Sequence, residues 1–279
     1  MRPILFWWGP LVIPSFGLFL AIGFLTGSFV FWRRLREDYD EDDLLTFYLS
    51  LGLFGLLGGR VASVIFDFGR FAGHELVLRF LSLVRFPGLS LYGAGIAVIL
   101  TTIVFCSRKN WSFWEVWDAM IESALWVISV GSIGGFLSSS MIGKETKLAI
   151  GVKMLGLSGD RHPVALYMVW ISLACLVFCA WFRKSYRRFL WYPSGKVGFV
   201  GLSTLFLWLA GLLLLEKFRD AGVYFYGVKV AQVADIVGML LCAIFIYKRS
   251  GRKLSQDVGN LSKSFRSARV VLSQKLRQK

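Results

Sequence analysis

Apolar residues are gathered into seven long runs, at 11–32, 44–68, 89–107, 116–137, 164–183, 197–216 and 230–247. A helix needs about 20 such residues to cross a hydrocarbon core of about 30 Å, and each run is close to that length. The chain is 56% hydrophobic and 18% charged, with a mean hydropathy of +0.62; soluble domains carry roughly 45–50% apolar and 25% charged residues. A transmembrane barrel would show alternating segments of about ten residues instead. Soluble enzymes, disordered chains, disulfide scaffolds and barrels are therefore poor fits. The expected fold class is an all-α polytopic membrane protein with seven transmembrane helices.

Seven spans put the termini on opposite sides. With the N-terminus outside, the inner segments hold 20 Lys and Arg, including Arg33, Arg34, Arg36 and ten residues from Lys248 to Lys279. The outer segments hold 11, with Arg60 left inside a span. The positive-inside rule selects an outer N-terminus and a cytoplasmic C-terminus. The first run lacks the basic start and small-residue cleavage site of a secretory signal, so it is expected to remain as a span. Residues 1–248 read as one transmembrane domain and 249–279 as a basic cytoplasmic tail. That tail suits either an amphipathic helix on anionic inner-leaflet lipid or a solvated extension. The net charge of +15 is read in the same way, as an attraction to anionic lipid rather than nucleic acid. Glu37–Asp43 reads as a solvated connection, and no internal repeat suggests a transporter built from two related halves.

Ionisable groups at membrane depth cost several kcal/mol unless paired or hydrated, which makes each a functional candidate. Arg60 follows two glycines, in Gly58-Gly59-Arg60, where a guanidinium meets either a lipid phosphate or a structural acid. Asp118 and Glu122 form an i, i+4 acidic pair at the start of the fourth run; paired carboxylates invite an acid/base reading, but a cytoplasmic interface explains Asp118 without chemistry. Gly131–Ser140 is rich in hydroxyls and poor in helix formers, as expected where a span ends in a wet cavity. A Ser/His hydrolase would have to use His74 or His162, and no GxSxG elbow is present. Arg161-His162-Pro163, with Tyr167 one turn later, stands at the start of the fifth run, and Glu216, Lys217 and Arg219 end the sixth. The four cysteines, Cys106, Cys175, Cys179 and Cys242, read as packing residues. Neither a metal site nor a cofactor is expected.

Taken in order, these segments resemble the prolipoprotein diacylglyceryl transferases, bacterial seven-span enzymes of the inner membrane. Gly9–Leu18 is similar to the family's GPxxIxxYGL opening, Gly58–Phe66 to G[GA]RxxYVxF, and Gly88–Gly95 to GLS[FI][HY]GGL. Arg161–Tyr167 is similar to RHPSQLYE, Ile142–Leu148 to WGRPTDL, and Ala231-Gln232 to the Gly-Gln pair of the last span. Asp118 precedes Ser132 by the family's spacing from Asp to signature Arg. The departures cluster in the signature GRIGNFxNGE, which here runs from Gly131 to Ser140. Ser132 replaces its Arg, Gly135 and Ser138 its two Asn, and Ser140 its Glu. Phe16 stands for a Tyr, Met168 for a Glu and Leu212 for a second Arg.

The resemblance implies a reaction in which the diacylglyceryl group of phosphatidylglycerol moves onto the cysteine thiol of a prolipoprotein signal peptide. The thiolate attacks the glyceryl carbon and glycerol phosphate leaves. A leaving phosphate needs positive charge aimed at it, and losing one such donor costs about 2.7–4 kcal/mol, or 10²–10³ in rate. With the signature Arg gone, the remaining cations are Arg60, Lys144, Arg161 and Arg219. The resemblance therefore implies Tyr92, Arg60 and Lys144 as catalytic residues. It implies Arg161, His162, Tyr167, Glu216, Arg219, Gln232 and Ser132 as groups around the lipid headgroup. Two alternatives stand beside a transferase with a rearranged cationic site. One is a non-catalytic member that binds lipid or lipoprotein as a membrane subunit; the other is a different lipid-modifying enzyme on the same scaffold.

Overall fold

The computed structural model describes residues 2–9, 11–66, 68, 88–220, 222, 224–253 and 257. Arg70, His74, Arg79, Arg85 and nearly all of the basic tail lie outside the described residues. Among the described residues, seven α-helices run alternately up and down: α1 (Ser15–Leu35), α2 (Glu41–Phe66), α3 (Leu91–Lys109), α4 (Phe113–Leu137), α5 (Val164–Ser185), α6 (Phe199–Leu215) and α7 (Val230–Arg249). Six are long and apolar enough to cross a membrane. The exception is α6, whose 17 residues extend about 26 Å, short of a typical hydrocarbon core.

The helical expectation holds, and short hairpins are added outside the helices. The described residues hold three two-stranded hairpins: β1 (Ile4–Trp8) with β2 (Leu11–Pro14), β3 (Val152–Lys153) with β4 (Asp160–Arg161), and β5 (Tyr224–Phe225) with β6 (Val228–Lys229). The first takes residues 11–14 out of the expected first span. Pro14 drives its neighbour towards extended backbone, and β-branched Val12 and Ile13 accept that geometry. Gly9, at φ +58°, makes the turn, and α1 begins after Pro14, which serves as its N-cap.

The packing has α4 at its centre. It lies along α1, α5 and α6, while α2 pairs with α3 and α6 with α7. The core beneath these contacts holds Phe31, Phe47, Val116, Trp117 and Leu125. Helices α2 and α3 approach through glycine: a Cβ at Gly58 would run into the Ala97 side chain and the Gly93 carbonyl. This is the small-residue contact that membrane helices use to bring backbones together.

One end of the bundle collects the C-terminal turns of α1, α3, α5 and α7, with Arg33, Arg34, Arg108, Lys109, Arg183, Lys184, Lys248 and Arg249. Cations there complement the negative ends of the helix dipoles. Glu37–Asp43 is more than the solvated connection expected of it. Asp40 Oδ1 accepts from the Asp42 and Asp43 amides at 3.1 and 3.2 Å, capping α2. Asp43 pairs with Lys109 at 2.7 Å, and Tyr39 donates to Glu115 at 3.0 Å. Burial and that carboxylate push the Tyr39 phenol up to about 12.

Candidate functional site

At the opposite end, α4 stops on Ser138, and the hydroxyl-rich segment turns back onto it. The Ser138 and Ser140 hydroxyls each donate to the Gly135 carbonyl at 3.2 Å, and the Ser138 amide donates to that of Gly134 at 2.9 Å. These bonds satisfy carbonyls that a helix end leaves open. The chain then threads between the ends of α5 and α6. Backbone bridges join Gly143 to Arg219 and Glu145 to Arg161, and a Cβ at Gly143 would collide with the His162 carbonyl. Lys144 takes part through its backbone: its amide donates to Phe218 at 2.8 Å and its carbonyl accepts from the His162 amide at 3.0 Å. Its side chain is exposed.

Arg161 locks this arrangement. Nη1 donates to the Gly143 carbonyl at 3.1 Å and to Asp220 at 2.9 Å, and Nη2 to Glu145 at 3.1 Å. Three loop segments are thereby tied by one planar guanidinium. His162, next in sequence, is buried. Its Nδ1 lies 3.1 Å from the Tyr167 hydroxyl, and its ring packs on Phe218 at a centroid distance of 4.9 Å.

Beside that frame lies a cluster of buried charge. Glu216, 3% exposed, stands at the C-cap of α6. Its carboxylate accepts from Arg219 at 2.9 Å and from Lys229 at 3.4 Å. Lys229, 6% exposed, also donates to the carbonyls of Glu216 at 3.0 Å and Arg219 at 2.9 Å. A buried ammonium with a carboxylate and two carbonyls is the satisfied form of a costly group. The neighbouring pair differs. Tyr92, near the N-terminus of α3, donates to Oδ1 of Asp235 on α7 at 3.1 Å, and the charges of Glu216 and Arg219 act on both. Asp235 is fully buried, and its Oδ2 has no hydrogen-bond partner among the described residues.

The remaining expected site residues stand near this end. Arg60 is buried and donates from Nη1 to the Gly88 carbonyl at 2.9 Å, so it lines the junction of α2 and α3 just before Tyr92. Ser132 is buried within α4, and Gln232 is half-buried in the first turn of α7. The structure thus brings Tyr92 together with Glu216 and Arg219, and His162 with Tyr167, while Lys144 presents its side chain outward.

The acidic pair of the fourth run belongs to the other end and is structural. Asp118 accepts from the amides of Gly198 at 2.8 Å and Gly201 at 2.6 Å, closing the N-terminus of α6. Glu122 binds Arg34 through two bonds of 3.0 and 2.7 Å and Arg183 through one of 2.5 Å, tying α4 to α1 and α5. The four cysteines are buried and free. Among the described residues, no group of three or more His, Cys, Asp or Glu is placed to hold a metal ion.

Two residues of the cluster escape sequence reasoning. Lys229 counts as one more loop cation, because nothing local announces that its chain folds back over Glu216. Asp235 carries a usable signal, an ionisable residue inside the last apolar run, three positions after Gln232.

Comparison with known proteins adds independent findings. The sequence model of the family described as "Prolipoprotein diacylglyceryl transferase" matches residues 3–248. A phosphatidylglycerol–prolipoprotein diacylglyceryl transferase of Legionella pneumophila (strain Corby) is 29% identical over 261 residues, covering 88% of this chain and 96% of its own. Proteins of the same name are 28% identical in Clostridium tetani, covering 71% of this chain and 78% of that one, and in Parasynechococcus marenigrum, covering 86% and 90%.

Proposed function

The chain belongs to the prolipoprotein diacylglyceryl transferase family, and from that premise we propose that it transfers the diacylglyceryl group of phosphatidylglycerol to the thiol of a prolipoprotein's lipobox cysteine. The observation that carries this reading is the buried cluster of Tyr92, Asp235, Glu216, Arg219 and Lys229 at one end of the bundle. Charged groups are retained at such depth where they meet a charged ligand.

In this reading the lipid phosphate enters beside Arg219, Lys229 and Arg60, and Lys144 stands at the exposed rim. Arg219, Lys229 and Arg60 replace the one absent at Ser132. Arg219 is the group with freedom to turn towards a phosphate, since its side chain is 40% exposed while bonded to Glu216. Donors already in place where charge develops on the leaving glycerol phosphate stabilise the transition state without reorganisation. Arg161, His162, Tyr167 and Gln232 shape the headgroup pocket. The thiolate attacks the glyceryl carbon, the carbon–oxygen bond to the phosphate breaks, and a thioether forms.

The same proposal counts α6 as a seventh span, with the N-terminus outside and the C-terminus inside a bacterial inner membrane. Neighbouring helices cover this short helix, so its ends need not reach the lipid headgroups themselves. The basic tail then meets anionic lipid of the inner leaflet. A second reading, lipid or lipoprotein binding without turnover, draws on Ser132 in place of the signature Arg.

The experiment is transfer of labelled diacylglyceryl from phosphatidylglycerol to a lipobox peptide by the purified protein, with Arg60→Ala alongside. Transfer above the enzyme-free background, lost in the variant, supports the reading. No transfer under conditions where an intact family member works would sink it in favour of binding alone.

A further inference from the structure

The proposed reaction lacks a base. A cysteine thiol ordinarily ionises near 8.5, and the thiolate is the nucleophile, so about neutral pH a group must take its proton. Among the described residues of the cluster, Glu216 is already engaged by Arg219 and Lys229, and His162 turns Nδ1 to Tyr167. Asp235 is the carboxylate left half used. One oxygen holds the Tyr92 hydroxyl at 3.1 Å, while the other is buried without a partner among the described residues. Buried polar atoms are nearly always satisfied, and an orphan asks for an explanation. Saturation would have needed only one more hydroxyl or amide.

We infer, on the basis of the transferase reading, that Asp235 is a positioning residue that makes Tyr92 the proton acceptor for the attacking thiol. Tyr92 Oη, with its own hydrogen committed to Asp235 Oδ1, presents its lone pair to the site. As the thiol sulfur bonds to the glyceryl carbon, its proton passes to Tyr92 Oη and the phenolic proton moves on to Asp235. The carbon–oxygen bond breaks, its electron pair stays with the departing glycerol phosphate, and Asp235 ends neutral. One proton leaves the thiol, one rests on the carboxyl, and the charge gained by the phosphate equals the charge lost by Asp235. The groups facing this pair are Tyr92 from α3, Glu216 and Arg219 from the end of α6, and Lys229, through Glu216, from the start of α7. Neutralising Asp235 in turn removes a negative group from beside the newly formed phosphate dianion.

The test is the pH dependence of diacylglyceryl transfer, from pH 6 to 9, by wild type, Asp235→Asn and Tyr92→Phe. Asparagine keeps the size and can still accept the Tyr92 bond, but it cannot hold the proton. Positioned proton transfer contributes typically 10²–10⁴-fold, so Asp235→Asn should lose about 10²-fold in kcat at pH 7, with the KM for phosphatidylglycerol within about twofold. The deficit should shrink more than about tenfold by pH 8.5, as the peptide thiol ionises unaided. Asp235→Asn in the Tyr92→Phe background should add little, because the two act as one unit. A deficit of equal size at every pH, or full additivity with Tyr92→Phe, would overturn the assignment and leave Asp235 a packing residue. If Asp235→Asn does not fold, Tyr92→Phe carries the same pH signature alone, and its absence is equally fatal. An inactive wild type removes the transferase reading and this inference together; an active wild type with a pH-independent deficit removes only the inference.

Discussion

At the end of the bundle where α1, α3, α5 and α7 finish, Asp118 and Glu122 are fully used. Asp118 closes the two amides that open α6, and Glu122 grips Arg34 and Arg183. At the other end, Asp235 leaves one oxygen unbonded among the described residues and Glu216 divides its carboxylate between a buried lysine and a partly exposed arginine. Both ends contain buried carboxylates near cations. The lesson lies in saturation: a carboxylate with both oxygens bonded holds helices together, and one with an oxygen unbonded is the one the proposed chemistry can use.

Four substitutions separate the two ends. The largest expected effect is that of Glu216→Ala, which strands the Lys229 ammonium. Breaking one side of a buried pair costs about 3–5 kcal/mol, read as a large fall in the unfolding midpoint in detergent. Removing the cation too, in Glu216→Ala/Lys229→Ala, should restore part of it. No recovery in the double variant would mean that the pair is not the source of the loss. Next, Lys229→Ala should slow transfer by about 10²–10³, the effect of losing one preorganised donor. Lys144→Ala should stay within about twofold, as surface changes of roughly 0.5 kcal/mol do. The reverse order would return the phosphate-facing charge to Lys144 and shift the site towards the exposed rim. The smaller of the two effects on stability is that of Asp118→Ala, which uncovers two amides of α6. Loss of a helix cap costs about 0.5–2 kcal/mol, so the midpoint should drop modestly while transfer per folded molecule is unchanged. A specific loss of turnover would place chemistry at both ends.

Much of the fold is legible in the order of residues, because apolar run length is a local property. The runs at 44–68, 116–137 and 164–183 are close to α2, α4 and α5. The first run misleads only over 11–14, where Pro14 and the Gly9 turn favour a hairpin although the composition stays apolar. The site is less legible. Arg60, His162, Glu216 and Arg219 stand out as charged or titratable groups in an apolar setting, yet the acidic pair Asp118 and Glu122 stands out equally. A spacing of four puts both on one helix face but does not reveal their partners, which are 61 to 88 residues away.

Apolar patterning and cationic helix ends, readable one segment at a time, establish a polytopic helical membrane protein and the motifs of its family. Their physical basis is local: each span must satisfy its own backbone bonds in lipid, and each helix end selects its own charge. Tertiary packing alone decides which charges are saturated. Lys229 becomes a buried partner only when a hairpin returns it over the end of α6, and Tyr92 meets Asp235 across 143 residues of sequence. Long-range pairing of this kind depends on how helices pack, which single-segment hydropathy does not encode, and it determines which carboxylate is left with an oxygen to offer.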